Sequence, residues 1–192
     1  MKINMIWAQA ANRVIGDGKK MLWNIPADFK HFKATTMGSP IIMGRHSFEA
    51  LGNRPLPGRL NIVLTTQSDY QANEARVATS IIQALEVAEA SGAQKCWITG
   101  GERIYTEGME LADELVVTYL DLDVGDQPGY AHAPKISPEL WQVDEVRSDS
   151  KFRPVSGGCR WRVVYYRRAI PLPLGMERGQ HVEKTGRYNP IE

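Results

Sequence analysis

Short apolar runs alternate with stretches of helical periodicity from the start of the chain to about residue 120. Apolar runs with little polar alternation are typical of strands covered on both faces, and they predict strands at residues 2–10, 40–43, 60–65, 94–99 and 115–120. Proline at a first helical position and apolar residues three or four apart predict helices at 26–36, from about 46, and at 80–90. Strands that alternate with helices predict an α/β fold with a mostly parallel central sheet flanked by helices.

The pattern changes after residue 120. Residues 141–146 and 160–166 predict two long strands with no helix between them, and an antiparallel hairpin at the sheet edge is the simplest arrangement of such a pair. The segment PLPLGMERGQHVEKTGRYNP mixes proline, glycine and charge without a periodicity that could bury a face. We therefore expect one domain over residues 1–168 and a disordered or loosely packed tail over 169–192.

The composition fits a single domain with a small-molecule cleft. The chain has 192 residues, of which 43% are hydrophobic, so it can bury a core. The formal net charge of +1 gives no reason to expect nucleic acid or an anionic membrane as a partner. No run approaches the ~20 apolar residues of a membrane span. No sustained exposed apolar face is visible, so we expect a monomer.

The two cysteines, Cys96 and Cys159, lie far apart in the sequence. Cys96 stands in the apolar run Cys96-Trp97-Ile98, where a buried free thiol is the expected state. Free thiols persist in a reducing compartment. Because the N-terminal segment also lacks a signal-peptide pattern, we expect a cytoplasmic protein.

The motifs disfavour both metal-dependent and covalent hydrolysis. His31, His46, His132 and His181 are scattered and form no zinc-binding pattern. No serine lies in a G-x-S-x-G turn. We therefore expect no metal, and chemistry carried by an organic redox cofactor fits the remaining residues better than hydrolysis does.

Asp28 is the candidate residue for that chemistry. In the segment WNIPADFKHFK it lies four residues before Phe32 on the predicted helix, with Phe29 beside it, so a carboxylate would stand among aromatic rings. If the cleft buries this group, desolvation raises its pKa, while a cationic ligand edge favours its ionised form. An aspartate in a first helical turn commonly just complements the helix dipole, and the spacing alone leaves that alternative open.

Three glycine-containing segments are candidates for phosphate contacts. Thr99-Gly100-Gly101-Glu102-Arg103 joins a strand to a helix, where free N–H groups can hold a pyrophosphate, but it lacks the G-x-G-x-x-G pattern and can also be an ordinary turn. Gly44-Arg45-His46-Ser47 suits a phosphate or a solvated helix start. Gly16-Asp17-Gly18-Lys19-Lys20 lacks P-loop spacing and predicts a mobile loop.

Four segments, in this order, resemble the dihydrofolate reductase family. They are VIGDGKKMLWNIPADFKHFK, PIIMGRHSFEALGNRPLPGRLNIVLT, ITGGERIY and LVVTYLD. The combination of WNIPADF, IMGRH and RPLPGR is specific, and the resemblance spans about residues 1–168. It implies an oxidoreductase of one-carbon metabolism that reduces 7,8-dihydrofolate to tetrahydrofolate with NADPH, and thus a member of a family targeted by antifolates.

For the substrate, the resemblance implies that Asp28 holds the amino edge of the pterin and supports protonation of ring nitrogen five through ordered water. Thr118 is implied to support Asp28 by hydrogen bonding. Arg59 is implied to pair with the glutamate α-carboxylate, with Arg54 at the rim. The implied pocket also contains Ile6, Phe29, Phe32, Leu51, Leu56 and Thr99. Met21 and Trp23 are the implied working residues of a loop, 11–24, that closes over the rings.

For NADPH, the resemblance implies that Gly100 and Gly101, joined in this family by a cis peptide, let the backbone approach the cofactor. Thr65 and Thr66 are implied to help receive the ribose phosphate. The whole implied set is Ala8, Val14, Ile15, Gly16, Asp17, Gly18, Lys19, Lys20, Gly44, Arg45, His46, Ser47, Leu64, Thr65, Thr66, Thr99, Gly100, Gly101, Glu102, Arg103, Ile104 and Tyr105.

The sequence departs from the family pattern at Leu22, where proline is usual, and at Thr99, where a branched aliphatic residue is usual. These departures bear on the closing loop and on antifolate affinity. Two alternatives are a pyrimidine reductase of riboflavin synthesis, which would lack the helix of Asp28 together with Arg59, and a non-catalytic nucleotide-binding module. The presence of Trp23, Asp28 and Thr118 disfavours the second.

Overall fold

A computed structural model describes residues 1–170, so the predicted tail lies outside the described residues from 171 onward. The strands are β1 (Lys2–Gln9), β2 (Val14–Gly16), β3 (Ile41–Gly44), β4 (Asn61–Leu64), β5 (Arg76–Ala78), β6 (Lys95–Ile98), β7 (Glu114–Leu120), β8 (Ala131–His132), β9 (Trp141–Val143), β10 (Arg153–Ser156) and β11 (Cys159–Arg168). The helices are α1 (Pro26–Thr36), α2 (Arg45–Ala50), α3 (Ile81–Ala90) and α4 (Glu102–Gly108), with a 3-10 turn at Ala11–Arg13. Within this part of the chain, no helix is long and apolar enough to cross a bilayer.

The central sheet confirms the predicted α/β fold. Its strands follow the order β10-β11-β7-β1-β6-β3-β4-β5, and β9 also pairs with β11. The strands from β7 to β5 run parallel to one another, whereas β11 runs antiparallel to β7. The carboxyl ends of the parallel strands therefore meet at one edge, where open α/β sheets bind their ligands.

Apolar side chains cover both faces of this sheet. Met5, Trp7 and Ile98 belong to a cluster on one face, while Ile6 and Trp97 belong to a cluster on the other. Successive residues of a strand point to opposite faces. The double coverage explains why these strands show so little polar alternation.

The C-terminal edge of the sheet contains three strands, β9, β10 and β11, where the sequence pattern predicts two. Strand β9 ends at Val143 rather than at residue 146, and β10, which the pattern did not predict, pairs with the other end of β11. Gly157 in the turn between β10 and β11 has a φ of 60°, and a Cβ there would lie 1.9 Å from the carbonyl oxygen of Asn24. Only glycine fits this turn, because it contacts the chain just before α1.

The predicted loop over residues 11–24 contains a short strand. Val14 pairs with His132 and Gly16 with Ala131, which joins β2 to β8. These strands are three and two residues long, too short for an alternation pattern to be read. The connection after β7 thereby anchors the beginning of the loop.

Distant residues hold helix α1 at both ends. The backbone N–H of Ala27 donates to Ser156 Oγ at 3.1 Å. At the other end, Thr36 Oγ1 accepts a hydrogen bond of 3.1 Å from the guanidinium of Arg59. These contacts fix the helix against the sheet and hold Asp28 in its first turn.

Candidate active site

A cleft of about 980 Å³ opens at the carboxyl ends of the parallel strands. The last residues of β1, β3 and β4 and the segment after β6 line it, together with residues of α1, α2 and α4. Its size lies at the upper end of the ~300–1,000 Å³ of typical ligand pockets. The cleft can therefore hold a large organic ligand, or two ligands side by side.

Asp28 is buried in the wall of this cleft, with 8% of its surface exposed. Its Oδ1 accepts a hydrogen bond of 2.6 Å from Thr118 Oγ1 on β7. Within residues 1–170, no lysine, arginine or histidine forms an ion pair with this carboxylate. An aspartate that only complemented the helix dipole would be expected at the surface, so this burial favours a ligand-binding role.

Burial raises the pKa of Asp28 above its ordinary value of 3.8, and the hydrogen bond from Thr118 opposes part of that rise. Desolvation disfavours the charged form, whereas a hydrogen bond to the charged form favours it. A cationic edge of a ligand would pair with this carboxylate and favour its ionised form. The cleft thus offers a single buried acid that can exchange a proton with a ligand.

Two aromatic residues support the wall of the cleft beside Asp28. Tyr105 lies 5.4 Å from Trp7 between ring centroids, and its hydroxyl donates to the carbonyl oxygen of Ile6 at 2.8 Å. Burial, followed by the nearby charge of Asp28, raises the pKa of Tyr105 far above its ordinary range. The phenol therefore stays neutral and acts as a structural donor.

Arg59 reaches the cleft from the turn before β4. Its Nε donates to the Pro57 carbonyl oxygen at 3.1 Å, and its guanidinium carbon lies 5.9 Å from the centroid of the Phe32 ring. It forms no ion pair within the described residues. A guanidinium oriented in this way can bind a carboxylate of a ligand with two parallel hydrogen bonds.

Asn61 shapes the turn that carries Arg59. Its Oδ1 accepts from the N–H of Leu56 at 2.8 Å, and its Nδ2 donates to the carbonyl oxygens of Leu56 at 3.0 Å and Arg59 at 2.8 Å. The sequence pattern does not single out Asn61, because this residue lies inside an apolar strand and meets its partners only once the turn has folded.

Three glycines, Gly44, Gly100 and Gly101, line the other half of the cleft. A Cβ on Gly100 would lie 3.1 Å from Ser47 Oγ, and one on Gly101 would lie 3.3 Å from the same atom. The peptide between these glycines is cis, as the family resemblance implies. The carbonyl of Gly100 also accepts from the N–H of Gly44 at 2.8 Å. A side chain at either glycine would therefore crowd Ser47, which lines the same cleft.

The basic groups of α2 already share a carboxylate partner. Arg45 pairs with Glu49 at 2.7 Å between Nη1 and Oε1, and His46 Nδ1 lies 3.5 Å from Glu49 Oε2. Arg45 and His46 both line the cleft. A phosphate that binds Arg45 and His46 therefore competes with Glu49, a residue that the predicted site does not include.

The loop after β2 closes one side of the cleft. Asp17 Oδ1 accepts from the backbone N–H groups of Lys19 at 2.9 Å and Lys20 at 2.8 Å, and these bonds lower the pKa of Asp17, with the bond from Lys20 first in effect. A Cβ on Gly16 would lie 2.5 Å from the Lys20 carbonyl oxygen. Gly129 adds to this side of the cleft. The loop is thus a tight turn with both lysines at the cleft.

Four of the predicted site residues lie outside the cleft lining. Val14 is fully buried in the core, and Asp17 binds the backbone of its own turn. Trp23 packs against an apolar cluster, where its Nε1 has no partner within the described residues. Arg54 is exposed. All other predicted site residues line the cleft.

The cleft also contains residues outside the predicted set. They lie in α1 and α2, after β4, at the start of α3, in α4 and around β8, and they are Lys33, Ala50, Gln67, Thr79, Ser80, Ile81, Ile82, Glu107, Gly129 and Ala131, together with Trp7 and Met43 of β1 and β3. Polar residues at the start of α3 could have been suspected from the Thr79-Ser80 pair before a helix. Gly129 and Ala131 carried no such signal, because only the pairing of β2 with β8 brings them to the cleft.

Comparison with known proteins gives one consistent family. Residues 2–160 match the family described as dihydrofolate reductase. A dihydrofolate reductase of Neisseria meningitidis serogroup B is 44% identical over 168 residues, which cover 88% of this chain and 99% of that protein. One of Mycobacterium tuberculosis is 36% identical over 169 residues, which cover 87% of this chain and 98% of that protein. A solved structure, described as dihydrofolate reductase from Enterococcus faecalis complexed with NADP(H) and RAB-propyl, superposes with a TM-score of 0.77 at 29% identity and covers 88% of this chain and 97% of that chain.

Proposed function

The chain belongs to the dihydrofolate reductase family, and from this premise we propose that Asp28 and Thr118 form the acid centre at which dihydrofolate is bound and protonated. The protein is an NADPH-dependent oxidoreductase that reduces 7,8-dihydrofolate to 5,6,7,8-tetrahydrofolate. The observation that carries the proposal is the buried Asp28 carboxylate, which lines the cleft and accepts a hydrogen bond from Thr118 without a cationic partner among the described residues.

Asp28 binds the amino edge of the substrate's pterin ring. A pterin presents N–H donors along one edge, and Asp28 has one carboxylate oxygen hydrogen-bonded to Thr118 and a second left for those donors. The raised pKa of Asp28 favours retention of a proton in the buried site. The carboxyl can then support protonation of ring nitrogen five through a water molecule, while carbon six receives the hydride.

The opposite half of the cleft fits NADPH. Gly44, Gly100 and Gly101 line this half of the cleft, where side chains would crowd Ile104 or Ser47, and side chains that can bind phosphate surround them. We assign the cofactor contacts to Ala8, Lys19, Lys20, Arg45, His46, Ser47, Thr65, Thr66, Arg103 and the main chain of 99–105, all of which line the cleft. NADPH, when bound, supplies the hydride.

The remaining residues orient the two ligands and exclude water. Arg59 holds the carboxylate at the far end of the substrate, and Phe29, Phe32 and Leu56 enclose its apolar middle. Met21 closes the cleft from the loop side. Because catalysis then depends on placement and on one protonation, no second acid or base is needed.

We also assign the activity to a monomer whose single domain spans residues 1–168. Strand β11, which ends at Arg168, completes the central sheet. A cytoplasmic location is supported by Cys159, which is buried and free, as expected in a reducing compartment. Light scattering of the purified chain tests the monomer, and a dimeric mass would contradict it.

The assay of choice is loss of NADPH absorbance when dihydrofolate is added to the purified protein. We expect oxidation of NADPH that depends on dihydrofolate and that the Asp28→Asn variant largely loses. Oxidation that persists unchanged in the variant would overturn the role of Asp28. Reduction of a riboflavin-pathway pyrimidine in place of dihydrofolate would overturn the assigned substrate.

A further inference from the structure

A second cavity, of about 260 Å³, lies away from the cleft. Tyr119 lines it, and because Tyr119 follows Thr118 on β7, the two side chains point to opposite faces of the sheet. The cavity is lined by Gln9, Arg13, Tyr119, Pro134, Ile136, Pro138, Trp141, Val143 and Tyr166. None of these residues is acidic.

Gln9 contributes an amide donor that has no protein partner among the described residues. Only 8% of this residue is exposed. Its Oε1 accepts a hydrogen bond of 2.8 Å from Trp7 Nε1, and because an indole nitrogen can only donate, this contact fixes which end of the amide is oxygen. The Nε2 end has no hydrogen-bond partner within residues 1–170.

Two tyrosines add a second donor. The hydroxyl oxygens of Tyr119 and Tyr166 lie 2.6 Å apart, so one hydroxyl donates to the other and the second keeps its own proton for another acceptor. Burial, and then the bond to Tyr166, raises the pKa of Tyr119 far above its ordinary range. Tyr119 therefore remains neutral and keeps its proton.

Two arginines make the surroundings of the cavity positive. Arg13 uses one guanidinium N–H for the carbonyl oxygen of Ala133 and has no ion pair among the residues described. The guanidinium of Arg162 lies 5.3 Å from the centroid of the Tyr119 ring, and its buried Nε has no hydrogen-bond partner in that part of the chain. Donors and positive charge without any acid favour an anion.

We propose that this cavity binds a small aromatic carboxylate. The guanidinium of Arg13, the amide of Gln9 and the free tyrosine hydroxyl receive the carboxylate, and the flat apolar sides of Trp141, Pro134 and Pro138 receive the ring. The volume lies below the ~300 Å³ at which pockets for drug-sized ligands begin. A single ring with one carboxylate therefore suits it better than a larger molecule.

Benzoate is the probe for this site, and acetate is its comparator. Calorimetric titration uses the full chain saturated with NADP⁺ and folate, so that Arg59 in the main cleft is covered. We expect saturable binding of benzoate and markedly weaker binding of acetate. Arg13→Gln should weaken benzoate binding about tenfold or more, as expected when a charge-assisted hydrogen bond is lost. The matched control is Arg76→Gln, because Arg76 is an exposed arginine on the far edge strand β5.

Two further variants keep the test independent of Arg13. Tyr166→Phe removes a hydroxyl from the hydrogen-bonded pair, and Val143→Phe fills the cavity from a residue that is 37% exposed. Both should lower benzoate affinity while the far-ultraviolet circular dichroism spectrum stays unchanged. Absence of saturable benzoate binding, or binding that survives all three cavity substitutions, would overturn the proposal. Acetate binding as tight as that of benzoate would overturn the aromatic part of it. None of these three outcomes bears on dihydrofolate reduction, because the cavity lies outside the cleft.

Discussion

Thr118 Oγ1 donates a hydrogen bond of 2.6 Å to Asp28 Oδ1, and the two residues lie 90 positions apart in the chain. The bond joins β7 to the first turn of α1 inside the cleft. It also opposes the rise in the pKa of Asp28 that burial causes. One short contact therefore both positions the carboxylate and adjusts its acidity.

Asp28→Asn is expected to lower hydride transfer from NADPH at neutral pH, by about 10²–10⁴-fold, the usual contribution of a positioned acid. Asparagine keeps an acceptor for Thr118 but cannot exchange a proton. Because protonated solvent can partly replace the acid, the deficit should shrink as the pH falls. Single-turnover absorbance measurements across pH check this. A deficit that is the same at every pH would show that Asp28 contributes only binding.

The same substitution is expected to stabilise the protein at neutral pH, by about 0.5–2 kcal/mol. The folded-state pKa of Asp28 is raised. The free energy of unfolding that the protonated carboxyl contributes is therefore fully present below the ordinary pKa of 3.8, and it is lost as the pH rises through the raised folded-state pKa. The difference between variant and parent should therefore grow with pH. Urea unfolding at about pH 4 and about pH 7 measures it, and a difference independent of pH would contradict the burial of an ionisable group.

Thr118→Val is expected to raise the pKa of Asp28 further. The substitution removes a hydrogen bond that favours the ionised carboxylate, while desolvation remains. Carbon-13 titration of the Asp28 carboxyl in the ligand-free protein gives this pKa directly. A pKa that falls, or stays where it was, would mean that the hydroxyl does not act on the carboxylate.

Arg59→Lys is expected to raise the KM for dihydrofolate by roughly 10–100-fold with little change in kcat. Lysine keeps the charge but loses the paired donors of a guanidinium, and a contact made equally in the ground and transition states affects KM alone. Steady-state kinetics separate the two parameters, with Arg76→Gln as a control on the far edge of the sheet. A large fall in kcat would place Arg59 closer to the chemistry.

Glu49→Gln is expected to lower the KM for NADPH roughly twofold to fivefold, the range of a partly exposed ion pair. Glu49 lies 2.7 Å from Arg45 and 3.5 Å from His46. Its negative charge therefore competes with the ribose phosphate of NADPH for these two residues. The KM for NADH, which lacks that phosphate, should change little. Equal gains with both cofactors would argue against phosphate recognition by α2, as would equal efficiency of the parent protein with NADPH and NADH.

The sequence determined most of the fold because its signals are local. The helix predicted at 26–36 has those bounds in the structure, since Pro26 marks its first turn and Gly38 and Pro40 follow its end. Buried parallel strands were equally clear, because double coverage leaves long apolar runs. The family resemblance likewise follows from short segments in a fixed order, and the match over residues 2–160 agrees with it.

Only the tertiary structure decided the features that join residues distant in the chain. β2 and β8 are too short to show a pattern, and they exist because Val14 and His132 pair. Sequence likewise singled out Asp28 without deciding between a residue that complements the helix dipole and a binding group. The burial of Asp28 against Thr118 favours the binding group. Desolvation and hydrogen bonding depend on contacts in space, and the chain brings these two residues together only when it folds.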